Sequence, residues 1–504
     1  MPVSSVATSH VSRSHAGRGV QAVLVVQVAA MLVAAALLGT WHDEEYTLAT
    51  TAHGIAYAFH RSIDYELQAP FYFVALAALR TLSDSVFVAR AISVLCAVAF
   101  TYAMTLVARR VVPGNAWLVA ALVALNPFTI FAAVEIRLYA LALLLCALCW
   151  LAFYGGYFRG DDPRARIAFI VLAAVSLYTQ YFIAFEFVGF AVGLGVMGRW
   201  RALRAYVLAG AIVAVAFVPM LMVLHAQVGG AFAVRDARAG AFGSIFLHPS
   251  VDFIFPLAYQ AVAGATAHRA TLFGALAVFA ALLIGRPRLG RPLLAYVAMA
   301  ATVEAIYVVL ADGFNYELIV PRHFVALFVP EVVAAYALVA SFGSPRARGA
   351  ATAIVAILSL AAVASDATTY RAMAKHGDWK RVGAFLTRAA RPGDTIAIYE
   401  ADALPAFRRY YNGAAHVVPF PRALPPDRYD IDAMLVHSTA EAETALGRLP
   451  QTERVWFVNY GVCDRFDRLG CNEVRAAIAS RERVLERIEF FENTVLRIAP
   501  RKAP

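Results

Sequence analysis

Three carboxylates stand in a row at Asp43, Glu44 and Glu45, within Trp41-His42-Asp43-Glu44-Glu45-Tyr46, directly behind a long apolar run. A carboxylate within hydrogen-bond reach of an acceptor hydroxyl can take its proton as the oxygen attacks. Further along, Glu135-Ile136-Arg137-Leu138-Tyr139 follows Asn126-Pro127, and Pro321-Arg322-His323 precedes another apolar run. The planar fork of arginine binds phosphate oxygens in pairs. Arg137 and Arg322 therefore suit a leaving phosphate, whose charge develops in a low-dielectric site and needs a fixed countercharge or a metal. Together the set could transfer a sugar from a phosphate, with Asp43 or Glu44 as base and the two arginines as clamps. An ionised carboxylate at the end of an apolar helix costs about 3 kcal/mol unless it is paired, metal-bound or hydrated. The structural reading of any one acid is that it ends the helix in interfacial water, and that of Arg137 is that it snorkels or pairs with Glu135. For the acidic trio as a whole, function is the better account.

The elements that must position these residues follow from composition. The chain has 504 residues, 61% hydrophobic and 15% charged, with a mean hydropathy of +0.65. An ordinary soluble domain carries about 25% charge, so a soluble globular enzyme is excluded. The charge is also uneven: residues 367–504 hold 38 of the 78 charged side chains. The pattern predicts a polytopic α-helical membrane domain over 20–366 and a small α/β domain over 367–504, after a disordered cytoplasmic tail at 1–19. The net charge of +10 arises from basic residues in short loops between apolar runs. That is a topology signal, and no nucleic-acid partner is expected.

A transmembrane helix needs about 20 apolar residues. About 11 spans are predicted, near 20–41, 87–108, 114–133, 138–157, 166–181, 182–198, 204–224, 270–285, 292–311, 323–342 and 349–366. The first follows Arg13 and Arg18 and is too long for a signal-peptide core, so it reads as a retained anchor with a cytoplasmic N-terminus. Arg109/Arg110, Arg159/Arg164/Arg166, Arg199/Arg201/Arg204, Arg286/Arg288/Arg291 and Arg346/Arg348 then all fall inside, as the positive-inside rule requires. The scheme needs the apolar stretch 69–82 to be interfacial or re-entrant within an outer loop spanning 42–86. An odd number of spans puts the α/β domain outside the cytoplasm. There, strand-like runs at Thr395–Tyr399, His416–Phe420, Arg454–Tyr460 and Ile488–Ile498 alternate with helical segments near 378–390, 402–412, 439–448 and 472–482. A bridge between Cys463 and Cys471 is left open.

With this topology the acids of the first loop, Gln68-Ala69-Pro70, the Glu135 motif, Tyr178-Thr179-Gln180-Tyr181-Phe182, Asp312 to Glu317 and the Arg322 motif share the outer face. At these residues the chain resembles the GT-C superfamily of polytopic glycosyltransferases that use polyprenyl-phosphate sugars. It is most similar to the bacterial branch holding the Rgt-type lipopolysaccharide-core transferases, the aminoarabinose transferases and the protein O-mannosyltransferases. The resemblance rests on Asp43-Glu44, on Pro70 followed by Phe71-Tyr72, on Glu135-x-Arg137-x-Tyr139, on Tyr178-Thr179-Gln180-Tyr181-Phe182 and on Pro321-Arg322-His323-Phe324. In the outer domain, Asp378-Trp379-Lys380 and Pro392-Gly393-Asp394 are also similar.

The resemblance implies a GT-C-like fold in a bacterial inner membrane and an inverting transfer from an undecaprenyl- or decaprenyl-phosphate monosaccharide. The acceptor would be a hydroxyl or amine of a cell-envelope glycan, lipid or protein. It implies a first-loop acid as base, donor contacts from Glu135, Arg137, Tyr139, Arg322, His323, Gln180 and Gln68, and in some relatives a divalent metal such as Mg, Mn or Zn, here near Asp43 and Glu135. The chain departs from its relatives at three places. Gln68-Ala69-Pro70 stands where they often have His-Pro-Pro or Lys-Pro, Gln180 where they often have His, and His323 where Tyr is common. The alternative from another class is a transporter or flippase of lipid-linked sugars. Transporters usually show repeated halves and polar residues at the bilayer midplane, and neither is visible here. The outer domain, with charges of mixed sign, is expected to be an accessory.

Overall fold

The computed structural model describes residues 5–111, 116–238, 289–310, 323–353, 356–357, 373–375, 377–425, 432–451, 454–460 and 470–501. The predicted span 270–285, most of 349–366, Arg322 and Cys463 lie outside these residues, and Cys471 is disulfide-bonded. Two compact units emerge. The first comprises Met1–Ala36, Gln68–Val223 and Leu247–Thr368; the second comprises Leu37–Leu67, Leu224–Phe246 and Thr369–Pro504.

The first unit is helical. It holds α1 (Ser5–Leu37, up to Ala36), α4 (Phe71–Arg80), α5 (Val86–Val111), α6 (Ala116–Ala124), α7 (Pro127–Val134), α8 (Tyr139–Phe153), α9 (Pro163–Leu177), α10 (Ala184–Val196), most of α11 (Trp200–Arg238), α12 (Arg291–Val308) and α13 (Val325–Ser341). Among the described residues, four helical stretches are long and apolar enough to cross a membrane: Gly17–Leu37, Val86–Val111, Tyr139–Phe158 and Trp200–His225. The predicted span 114–133 is broken, because α6 and α7 meet at a 59° bend. Asn126 causes it. Its side chain accepts a hydrogen bond from the Phe128 N–H at 2.9 Å, and Pro127, which has no N–H to give, opens the next helix. The stretch 69–82 forms the ten-residue α4, too short to span.

Without a hydrophobic drive between helices in lipid, packing depends on close approach. A Cβ at Gly189 of α10 would stand 2.9 Å from the Met299 carbonyl of α12, so this helix pair has room only for glycine there. Phe328 of α13 packs edge-on to Phe100 of α5 at 5.4 Å. The buried Arg90 donates to the Ala35 carbonyl at 3.1 Å.

The second unit contains α2 (His42–Thr50), α3 (Ile55–Asp64), α14 (Trp379–Ala389), α15 (Leu404–Tyr410), α16 (Thr439–Gly447) and α17 (Cys471–Arg481). Its sheet is built from β1 (Thr395–Tyr399), β2 (His416–Phe420), β3 (Val455–Tyr460), β4 (Glu482–Phe490) and β5 (Asn493–Pro500), in the order β2-β1-β3-β5-β4. The strands β2, β1 and β3 run parallel, and β5 and β4 are antiparallel additions. Alternation of side chains divides the core in two. Ala397, Tyr399, Val455 and Phe457 face α16 and α17, whereas Ile396, Ile398, Trp456 and Val458 face α14 and α15. On α14 the buried residues Trp379, Val382, Gly383 and Leu386 recur at helical spacing. The run 488–498 is not one strand, because the chain reverses at Glu492, which has φ 59°.

Candidate functional site

The order β2-β1-β3 makes the carboxyl end of β1 a switch point, the place where open α/β sheets gather functional groups. Glu400 and Asp402 lie there, immediately beyond Tyr399, both at least 95% buried, and Glu400 Oε1 and Asp402 Oδ1 make no hydrogen bond. Tyr460 and Asn459 end the neighbouring strand β3. Over this end of the sheet runs α2, the helix of the acidic trio. The Tyr46 hydroxyl donates to the Asp402 carbonyl at 3.1 Å, and the rings of His42 and Tyr460 meet edge-on at 5.9 Å.

The three acids of α2 differ sharply in environment. Glu44 is fully buried and paired with Lys375, its Oε2 2.9 Å from Nζ. Glu45 takes both arms of the Arg409 fork, from Nε to Oε1 and, at 2.7 Å, from Nη2 to Oε2. Asp43 keeps 14% of its side-chain surface exposed, with His42 Nε2 3.5 Å from its Oδ1. Burial pushes the Asp402 carboxyl up, and the charge of Asp43 pushes it further. Burial, then the charge of Asp402, does the same to Glu400. Burial pulls the Arg409 guanidinium down, but the bonds and charge of Glu45 outweigh it and leave it raised. Negative charge at the end of β1 is thus suppressed, while that of Glu44 and Glu45 on α2 is neutralised pairwise.

The remaining candidates belong to the first unit. Glu135 ends α7 in an extended conformation, and Glu135, Arg137 and Tyr139 are all buried. The Tyr139 ring packs on Phe131 at 5.7 Å. A second group forms around the loop of Gln180, which is also buried. The Phe71 N–H donates to the Tyr178 carbonyl at 2.9 Å, which ties the Gln68-Ala69-Pro70 loop to the Gln180 loop. The His323 ring lies 5.1 Å from Phe182, and its carbonyl accepts from the Tyr307 hydroxyl at 2.6 Å. Gln68, Gln180 and His323 thus belong to one connected region. Of the acids inside helices, Glu186 on α10 is fully buried, and Glu304 and Glu331 lie on α12 and α13.

For the metal expected near Asp43 and Glu135, Glu44 and Glu45 are neutralised by cations, and among the described residues no group of three or more His, Cys, Asp or Glu is arranged to hold a metal.

Lys375, Arg409, Asp402 and Glu400 were not singled out in the sequence. Arg408-Arg409 on a short helix is an ordinary surface pattern, and the partners of Lys375 and Arg409 stand more than 300 positions away.

No family model matches the chain, and no curated protein matches its sequence. Among solved structures it is similar to ArnT from Cupriavidus metallidurans bound to undecaprenyl phosphate, with TM-score 0.55 and 12% identity over 95% of this chain and 97% of that one. The same protein in the apo state matches with TM-score 0.51 and 13% identity over 94% and 97%. At this identity the likeness is one of fold. The chain is a membrane protein with a GT-C-type fold, which has, among the described residues, a helical unit and a unit that holds a small sheet.

Proposed function

We propose that the chain is a membrane glycosyltransferase that moves a monosaccharide from a polyprenyl-phosphate donor to a hydroxyl or amine of an envelope acceptor, with inversion and with Asp43 as base. The fold likeness to a protein solved with undecaprenyl phosphate supports the donor class. The observation that carries the choice of base is the contrast within α2: Glu44 and Glu45 are locked into ion pairs with Lys375 and Arg409, and Asp43 retains accessible surface.

In the reaction the acceptor oxygen bonds to the anomeric carbon from the face opposite the phosphate, so configuration inverts. The bond from the anomeric carbon to the phosphate oxygen breaks, and its electron pair leaves with the polyprenyl phosphate. The acceptor proton passes to the Asp43 carboxylate. Arg137 and Arg322 stabilise the charge gathering on the phosphate. Glu135, Tyr139, Gln180, Gln68 and His323 are assigned to donor binding. Buried polar groups of this kind orient a sugar by pairing with its hydroxyls, and they reject analogues that leave them unpaired.

The test is incorporation of radiolabelled sugar from synthetic polyprenyl-phosphate hexoses and pentoses by membranes carrying the wild-type chain or Asp43→Asn. Transfer in the variant is expected to fall by about 10²–10⁴-fold, the usual worth of a general base. Full transfer in the variant would refute the assignment. No transfer from any donor, together with donor-dependent proton movement across vesicles, would favour transport.

A further inference from the structure

Helix α2 has nine residues and follows Trp41, whose side chain makes no cap. Isolated helices of this length do not hold themselves together in water. Its polar sequence also offers little apolar surface to bury. Beside the Thr50 hydroxyl bond to Glu66 at 2.8 Å and the Tyr46–Tyr65 ring contact, what fixes its first turns comes from the sheet domain. Lys380 Nζ donates to the Leu37 carbonyl at 3.2 Å. The Tyr410 hydroxyl accepts from the Thr40 N–H at 2.7 Å. Lys375 then grips Glu44, Arg409 grips Glu45 and the Asp402 carbonyl receives Tyr46. Residues 37, 40, 44, 45 and 46 are thus bonded to the domain, on both sides of Asp43.

We propose that the sheet domain is a positioning device for the base, in which Arg409 and Lys375 hold α2 so that Asp43 stays at the reacting atoms. The proposal rests on the reading of Asp43 as base. The Glu44–Lys375 pair is buried, so each of its charges is costly to leave alone, whereas the Arg409 guanidinium, 35% exposed, covers a buried Glu45 from the outside. Arginine adds direction, because its two arms fix the Glu45 carboxylate in plane. Lys375 and Arg409 touch no substrate in this scheme; they act through α2.

The experiment uses the full-length protein in nanodiscs and has two readouts. The first is amide hydrogen exchange over residues 45–51, and the second is kcat and KM for transfer from the synthetic polyprenyl-phosphate sugar. In Arg409→Gln the α2 amides are expected to exchange about tenfold faster or more, while β1 and β3 keep their protection. The kcat is expected to fall about 10–100-fold with little change in donor KM, because the base is displaced and the phosphate contacts are not. Arg409→Lys, which keeps the charge and loses the fork, should fall between. The exchanged pair Glu45→Arg with Arg409→Glu should recover most of both readouts, and these two variants carry the test if Arg409→Gln does not fold.

Unchanged α2 exchange in Arg409→Gln would overturn the proposal. So would faster exchange with kcat intact while Asp43→Asn is inactive. Full activity in Asp43→Asn would instead overturn the base assignment, and with it the catalytic part of the proposal. The exchange rates would then decide on the clamp alone.

Discussion

Adjacent acids of the same charge stand in different environments here. Glu44 is fully buried against Lys375, so Glu44→Gln takes a buried carboxylate away from the interior ammonium. Breaking one partner of such a pair costs about 3–5 kcal/mol. Asp43→Asn removes a partly exposed charge and is expected to cost less than about 1 kcal/mol. Thermal unfolding of the two full-length variants therefore separates them: Glu44→Gln is expected to lower the midpoint markedly, and Asp43→Asn to leave it near wild type while transfer falls about 10²–10⁴-fold. Similar midpoints would mean that the Glu44–Lys375 pair does not hold the loop. The trio was legible in the sequence because three charges behind an apolar run demand an explanation. Its internal division was not. Which acid is neutralised depends on Lys375 and Arg409, and a lysine or arginine in a mixed-charge domain carries no mark of its partner.

Helices and strands were legible where a period repeats. The apolar spacing that marks α14 gives a buried face of Trp379, Val382 and Leu386, and β1 and β2 fall at the residues expected from their β-branched runs. The hairpin between β4 and β5 was hidden, because its turn contains Glu492 at positive φ in place of the glycine or asparagine that announces such a turn. Close contacts between elements are hidden for a similar reason. Gly383 in α14 looks like a mildly unfavourable helix residue, yet a Cβ there would stand 2.8 Å from the carbonyl carbon of Tyr410. That backbone belongs to α15, next to Arg409. Gly383→Ala must push α15 away and is expected to cost about 1–3 kcal/mol. It should also lower transfer through the displaced Arg409–Glu45 pair. Unfolding midpoint and turnover of Gly383→Ala check both, and an unchanged midpoint would mean that the two helices adjust freely.

At the scale of the whole molecule, composition divides the chain near residue 367, but compact grouping assigns Leu37–Leu67 to the same unit as Thr369–Pro504. That pairing cannot be read from local pattern, since it joins segments separated by the whole helical region. It gives the unit a charge balance with two opposed responses to pH. Burial pushes the Asp394 carboxyl up, but hydrogen bonds from the Arg391 N–H, from Arg454 at 2.7 Å and from Trp456 outweigh it and hold its pKa below the usual value. A depressed folded pKa contributes stability above the unfolded value and loses it as pH falls through the folded one. Asp402 and Glu400 have the opposite sign. Their folded pKa values are raised, so their contribution is complete below the unfolded value and is lost as pH rises through the folded one. The unit should therefore be most stable at intermediate pH and loosen on both sides. Exchange protection of β1 and β3 in the full-length protein, followed from acid to mildly alkaline pH, is expected to fall at both ends. Asp394→Asn should flatten the acid limb alone, and Asp402→Asn the alkaline limb alone. An alkaline limb that persists unchanged in Asp402→Asn with Glu400→Gln would mean that the buried carboxyls at the end of β1 are stabilised by a partner in their charged form.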